Sequence, residues 1–223
     1  MIATIRADMI TLSMVPPPDD TGKRDRERFF TQRVPVSSAL RGMPRAEALA
    51  RFCRGRRVLH VGCAGWPLAE GASSLHVALG RTAASIDGFD TQARALEALR
   101  PHLPKDALLT SRWRDVATRR YDVVLVPEVL EHVADAGTFL KRVGRLSAER
   151  LVVSAPDAYT CGRRRHFQYD RAREIVTEIV HPDHRCWYSP FTLRAAVMRA
   201  TGWKMDRMWF VDPASILGSF RPR

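Results

Sequence analysis

The sequence predicts an α/β fold, with a mostly parallel sheet and helices on both faces. Three observations predict it. Short apolar, β-branched runs recur along the chain, with stretches of helical spacing between them. One run, residues 121–126, is apolar enough throughout to be a central parallel strand covered on both sides. The first run, residues 57–61, ends at Gly62 in a glycine turn, as a strand does where the chain bends into a helix.

The elements follow in order. Residues 1–43 read as an arm, and residues 44–223 as the main domain. Pro16-Pro17-Pro18-Asp19-Asp20 is a polyproline-and-turn signal, and residues 23–28 are a solvated charge run, so the arm is expected to pack back over the site. Pro44 suits a first helical turn, and residues 46–53 carry apolar side chains at helical spacing. After the strand ending at Gly62, residues 83–89 read as a second strand and 91–99 as a helix, with Ala93, Leu96 and Leu99 on one face. A short strand over 107–110 precedes the central one. Asp135 is placed to cap a helix whose inner face holds Phe139, Leu140 and Val143. Residues 151–154 read as a strand, 191–200 as a helix and 203–211 as a final strand. A ligand in such a sheet belongs at the carboxyl ends of the strands, near the switch point beside the first.

The 223 residues, 45% hydrophobic and 27% charged, suit one ordinary domain and exclude repeat arrays, collagen and wholesale disorder. No apolar stretch approaches the roughly 18 residues of a membrane span. Arg6 and Asp8 interrupt the only apolar region that could begin a signal peptide. Cys53, Cys63, Cys161 and Cys186 form no CxxC pair, so a reduced, cytoplasmic protein is expected. The net charge of +12 is concentrated in residues 1–54 and 161–223 and is almost all arginine. It reads either as attraction for an anionic acceptor or nucleic acid, or as a coding bias with no partner behind it.

The chemistry lies in three segments. Gly62 lets the backbone of the first turn approach a ligand closely. In Ser85-Ile86-Asp87-Gly88-Phe89-Asp90 an acid ends the second strand, where a carboxylate accepts two hydrogen bonds from ribose hydroxyls; Asp90 or Asp87 fills that role, depending on register. The third is YDVVLVPEVLEHV, residues 121–133. Here the chain resembles the class I S-adenosylmethionine-dependent methyltransferases. Their fourth strand ends in such a run, followed by a helix like ADAGTFLKRVGRL; VLHVGCAG resembles their glycine-rich turn, IDGFD their ribose-binding acid and LVVSAPD their fifth strand. Residues 181–193, from His181 to Leu193, resemble a branch associated with bacterial glycan and secondary-metabolite pathways.

The resemblance covers residues 44–211. It implies a Rossmann-like, doubly wound, seven-stranded-type sheet and S-adenosyl-L-methionine as cofactor, bound by His60, Gly62, Cys63, Ala64, Phe89, Asp90, Trp113, Pro127 and Glu128. Three positions depart from it. His60 stands where the family usually has an acid, and Ala64 and Trp66 where it has glycines, so the loop must be wider or differently routed. Either Asp115 reaches the adenine or Trp113 covers it. Few residues follow Phe210, so the family's last antiparallel strand is expected to be short or missing.

A sulfonium-bound methyl group is already activated, and catalysis is chiefly alignment. An oxygen acceptor also needs a base, or a metal to lower its pKa. His132 is the first base candidate, with His181 and His184 behind it. Glu128, Glu131 and His132 resemble the metal-binding trio of ubiquinone-type O-methyltransferases, a trio that metal-free relatives also carry, and no metal is expected. Zinc at His181 and His184 is argued against by Pro182, which breaks a helix between them, and by the lack of a Cys pair. Glu131, Tyr188 and Arg165 are expected at the acceptor, under a lid over 157–187 that includes Arg163-Arg164-Arg165, His166, Phe167 and Tyr169. The expected function is methyl transfer to a small hydroxyl-bearing acceptor: a sugar, a phosphorylated compound or a secondary metabolite. Two other readings are a nucleic-acid methyltransferase using the basic ends and a non-catalytic binding subunit, the latter motivated by Ala64 and Trp66. No Asn-Pro-Pro-aromatic tetrapeptide or nucleic-acid module supports the former.

Overall fold

The computed structural model describes residues 32–65, 74–158, 167–178, 181–212 and 214–223. Among these, the chain runs α1 (Arg45–Cys53), β1 (Arg57–Val61), α2 (Leu75–Gly80), β2 (Ser85–Phe89), α3 (Ala93–Leu99), β3 (Leu109–Thr110), α4 (Trp113–Ala117), β4 (Arg120–Pro127), α5 (Ala136–Val143), β5 (Ser147–Pro156), β6 (Phe167–Asp170), β7 (Ile175–Glu178), α6 (Pro190–Thr201), β8 (Lys204–Val211) and β9 (Ser215–Arg221). Seven strands form one sheet in the order β3-β2-β1-β4-β5-β9-β8. All are parallel except β9, which runs against both its neighbours. The strand order reverses between β1 and β4, which opens a crevice at their carboxyl ends. The predicted mostly parallel α/β sheet is what the chain forms.

The last antiparallel strand is neither short nor missing. β9 pairs with β5 from Ser215 to Phe220 and with β8 from Ser215 to Arg221. The turn between β8 and β9 is so brief that few residues suffice for a full strand. Ser215 to Phe220 are all buried, so the strand has no polar face to betray it by alternation. Gly218 is required within it, because a Cβ there would lie 2.8 Å from the Phe220 ring.

Strand alternation splits the core into two layers. On one face Leu59, Val61, Val124, Val126, Leu151 and Val153 pack against Val116 of α4, Leu140 and Val143 of α5, and Leu193 and Val197 of α6. On the other, Val58, Val123, Leu125, Val152 and Leu217 pack against Ala48, Leu49 and Cys53 of α1 and Leu79 of α2. Each fully buried Val or Leu contributes about 1.5–3 kcal/mol. α5 and α6 start at side-chain caps. Asp135 accepts the Thr138 N–H at 2.9 Å, and Ser189 and Thr192 form a reciprocal capping box before α6.

Val34–Arg223 forms a single compact unit. Within it, the stretch before α1 lies along β8: the Ser37 N–H donates to the Met208 carbonyl at 2.8 Å, and Leu40 is buried in the α1 layer. Residues 1–31 of the expected arm lie outside the described residues. In the expected lid, β6 and β7 pair as an antiparallel hairpin carrying the half-exposed Tyr169, Ile175 and Val176. No helix among the described residues is long and apolar enough to cross a membrane.

Candidate active site

A cleft of about 810 Å³ opens at the carboxyl ends of β1, β2 and β4. Its floor is the turn after β1. Gly62 has φ +75°, and its N–H donates to the Phe89 carbonyl at 2.8 Å, tying the turn to the end of β2. A Cβ at this position would collide with the Val129 side chain, so both the dihedral and the space demand glycine. His60, Gly62, Cys63 and Ala64 all line the cleft. Trp66 lies outside the described residues.

Of the two acids left open by register, Asp90 lines the cleft. It is buried just beyond the end of β2, and its carboxylate accepts the Ala64 and Gln92 N–H groups, each at 3.0 Å. Asp87 stays within the strand and serves the fold. Its carboxylate accepts the Leu108 N–H at 3.1 Å and the Tyr121 hydroxyl at 3.0 Å, and pairs with Arg119 at 3.0 Å. Beside them, Trp113 rather than Asp115 faces the cleft. The Trp113 ring meets Phe89 edge-on at 4.9 Å, and the Arg142 guanidinium lies 4.9 Å from its centroid. Asp115 is taken up by the Thr110 hydroxyl at 2.7 Å and by Arg112 at 3.0 Å.

His60 has a partner that sequence reasoning missed. Its Nδ1 lies 3.2 Å from Nδ1 of His76 on α2, and both rings are buried, with neither Nε2 hydrogen-bonded. Burial lowers both pKa values: that of His76 to about 4, and that of His60 well below the ordinary range, with His76 adding to the effect. Both rings are therefore neutral at pH 7, one donating and one accepting. Gly88 makes the room, because a Cβ there would approach the Cys63 sulfur to 2.7 Å and His76 Cε1 to 3.1 Å.

At the end of β4, Pro127 and Glu128 also line the cleft. Glu128 has φ +52°, a strained conformation for a non-glycine residue, and is held by contacts on every side. Its N–H donates to the Ser154 carbonyl at 3.0 Å. Its carboxylate accepts the Ser154 hydroxyl at 2.8 Å and the Ser215 hydroxyl at 3.3 Å, and pairs with Arg45 at 3.1 Å. Arg45 and Ser215 come from α1 and β9, and no local motif announces them. So engaged, Glu128 does not converge with Glu131 and His132 into a cation-holding trio.

A different trio does converge. His181-Pro182-Asp183-His184 forms a turn closed by the His184 N–H on the His181 carbonyl at 3.0 Å, with Pro182 at the second position that favours it. The proline ends no helix here; it folds the two rings to a centroid distance of 5.0 Å. His132 joins them at 5.8 Å from His181 and 4.8 Å from His184. All three rings, with Glu131, line the mouth of the cleft. The buried Glu131 also anchors this segment, its carbonyl accepting the Arg185 N–H at 2.7 Å. Tyr188, expected at the acceptor, is instead packed in the core beside the sheet and does not line the cleft; burial pushes its phenol pKa up. Arg165, with Arg163, Arg164 and His166, lies outside the described residues.

A crevice at the switch point of a parallel sheet, floored by a glycine turn and flanked by a buried acid after the second strand, defines a nucleoside-cofactor site. Residues 38–207 match a family model described as a methyltransferase domain. The chain belongs to that family, the class I S-adenosylmethionine-dependent methyltransferases, and its cofactor is S-adenosylmethionine. It is 39% identical over 93 residues to a ubiquinone biosynthesis O-methyltransferase of Bradyrhizobium diazoefficiens, covering 40% of this chain and 34% of that one. A namesake from Azorhizobium caulinodans is 32% identical over 102 residues, covering 43% and 38%. The chain thus spans well under half the length of these curated relatives. Among solved structures it shares its fold with the DhpI–SAH complex, at TM-score 0.55 and 18% identity, covering 79% of this chain and 81% of that one. It does so also with the N-methyltransferase NodS from Bradyrhizobium japonicum WM9 in complex with S-adenosyl-L-homocysteine, at TM-score 0.53 and 15% identity, covering 80% and 85%.

Proposed function

We propose that this chain transfers the methyl group of S-adenosylmethionine to an oxygen of a small, hydroxyl-bearing acceptor, with His132 as the base. One observation carries the reading: His132 lines the same cleft as Asp90 and the Gly62 turn. The residues present fit the cofactor. Asp90 offers a carboxylate to the ribose hydroxyls, the turn from Gly62 to Ala64 lets the backbone approach closely, and Trp113 offers a flat face to the adenine. His60, Cys63, Phe89, Pro127 and Glu128 line the same cleft and would wall the cofactor when it is bound. When bound, the cofactor supplies an activated methyl that needs an in-line nucleophile more than further chemical help.

The chain's part is to strip the acceptor hydroxyl of its proton. His132 Nδ1 lies 3.3 Å from the Asp183 carbonyl, which can only accept, so that nitrogen carries the proton and Nε2 keeps the lone pair. His181 and His184 border the same ring and shape the acceptor side with Glu131. The O-methyltransferase relatives favour oxygen as the acceptor atom, and a cleft of about 810 Å³ is sized for a small molecule. Incubation with methyl-labelled S-adenosylmethionine and fractionated cell extract tests this. Label is expected in small molecules, and His132→Ala should lower the rate by about 10²–10⁴-fold while S-adenosylhomocysteine affinity holds. Label in nucleic acid, or a fully active variant, would overturn the reading.

A further inference from the structure

We infer that His132, His181 and His184 form a binding site for a divalent ion of the zinc class. One ring nitrogen from each can be chosen so that all three lie within 4.8 Å of one another, and among the described residues no other group of three or more His, Cys, Asp or Glu side chains is so placed. A tetrahedral ion with bonds of about 2.0–2.1 Å holds its ligand atoms roughly 3.4 Å apart, so closure needs rotations of an ångström or so. His132 and His181 are exposed side chains, free to make them.

His132 already has the surroundings of a metal ligand, and His181 would exchange one bond to become one. Metal-bound imidazoles usually donate their second N–H to a carbonyl or carboxylate. His132 already does so, to the Asp183 carbonyl at 3.3 Å. His181 Nδ1 accepts the Asp183 N–H at 3.2 Å, a bond it would exchange for the ion, and the Asp183 carboxylate 3.9 Å away would offset the ion's charge. Three imidazoles and no carboxylate select zinc, cobalt, nickel or copper over magnesium or calcium, which take oxygen ligands. The fourth position is left for water or a ligand in the cleft, the open pattern of three-histidine zinc sites.

This site goes beyond the methyl-transfer reading and stands without it, because it is read by binding alone. One consequence does link the two. An ion ligated through His132 takes the lone pair that the base needs, so the metal-loaded chain cannot use His132 to deprotonate an acceptor.

The test uses the full chain without a histidine tag, stripped by chelation and titrated with Co²⁺ followed by visible absorption, then with Zn²⁺ in competition. One ion per chain is expected, with intense tetrahedral cobalt bands and no displacement by excess Mg²⁺. His181→Ala and His184→Ala should each weaken binding by about 100-fold or more, while His102→Ala, on a distant turn, leaves it intact. S-adenosylhomocysteine affinity reports that each variant is folded. If the variants fail that check, X-ray absorption on the zinc-loaded parent chain decides, with three imidazole scatterers expected at about 2.0 Å. No binding by the parent chain, binding that survives loss of His181 and His184, or a shell dominated by sulfur or carboxylate would overturn the inference.

Discussion

Lowering the pH from 7.5 to 5 is expected to remove about 2 kcal/mol of folding stability through the buried His76 alone, with a further loss of the same sign from His60 beside it. His76 titrates at about 4 when folded, because burial penalises its cation, whereas an unfolded histidine titrates near 6.5. The unfolded chain therefore binds more protons between these values. Stability is complete above pH 6.5 and declines as pH falls towards 4. At pH 5 the difference for His76 alone amounts to ~2 kcal/mol. His60, lowered well below the ordinary range by burial and by its neighbour, loses stability in the same direction over the same range. The carboxylates held below their ordinary range by hydrogen bonds, such as Asp122 against Arg57 and Asp206 against Arg150, lose their contribution only from about pH 5 downward. Urea unfolding followed by circular dichroism at pH 7.5, 6.5, 5.5 and 5, at constant ionic strength, reads the slope. The His60→Leu/His76→Leu variant should flatten it. A loss below about 1 kcal/mol in the parent chain, or a full slope in the double variant, refutes the reasoning.

Other perturbations separate the roles of neighbouring residues. Asp90→Ala should weaken S-adenosylhomocysteine binding by about 30- to 1000-fold by calorimetry, the worth of a carboxylate with two charge-assisted bonds. Asp87→Ala should instead lower the thermal midpoint, by stranding the Tyr121 hydroxyl and Arg119, with little change in affinity. Gly62→Ala combines a positive φ with a collision at Val129, and should cost about 1–3 kcal/mol in thermal unfolding as well as most of the ligand-induced stabilisation. Trp113→Ala, which removes the ring held by Phe89 and Arg142, should reduce S-adenosylhomocysteine affinity by about tenfold while leaving the fold intact.

What the sequence made legible follows from how local each signal is. β1, β2, β4 and β5 stand out as apolar runs, and α5 is marked by Asp135, a cap that acts within three residues of itself. α2 is too short to show a period, and β9 hides behind its own uniform burial. The same logic governs the site. Gly62 sits at a strand end and could be read in place, whereas the choice between Asp90 and Asp87 depended on where β2 ends. His60 lies on the same face of β1 as Val58, two residues before it, but no local signal pairs it with His76. Arg45 and Ser215 reach Glu128 from opposite ends of the domain, a meeting that only the sheet order decides. Pro182 was legible as a breaker, and its effect ran the other way: by fixing a turn, it brings together two histidines that a broken helix would have separated.

The place of β9 in the sheet also sets the order in which the domain can be completed during synthesis. β8 leaves the ribosome first, yet it reaches the parallel strands only through β9. Until β9 inserts, β5 has a bare edge of apolar residues, the kind of template on which nascent chains mispair. The same late strand carries Ser215, which holds Glu128 in its strained conformation. The Glu128 side of the cleft therefore takes its final form only once β9 is in place. A ribosome-stalled chain that includes β8 but not β9 has most of the sheet sequence and no finished place for the cofactor to bind.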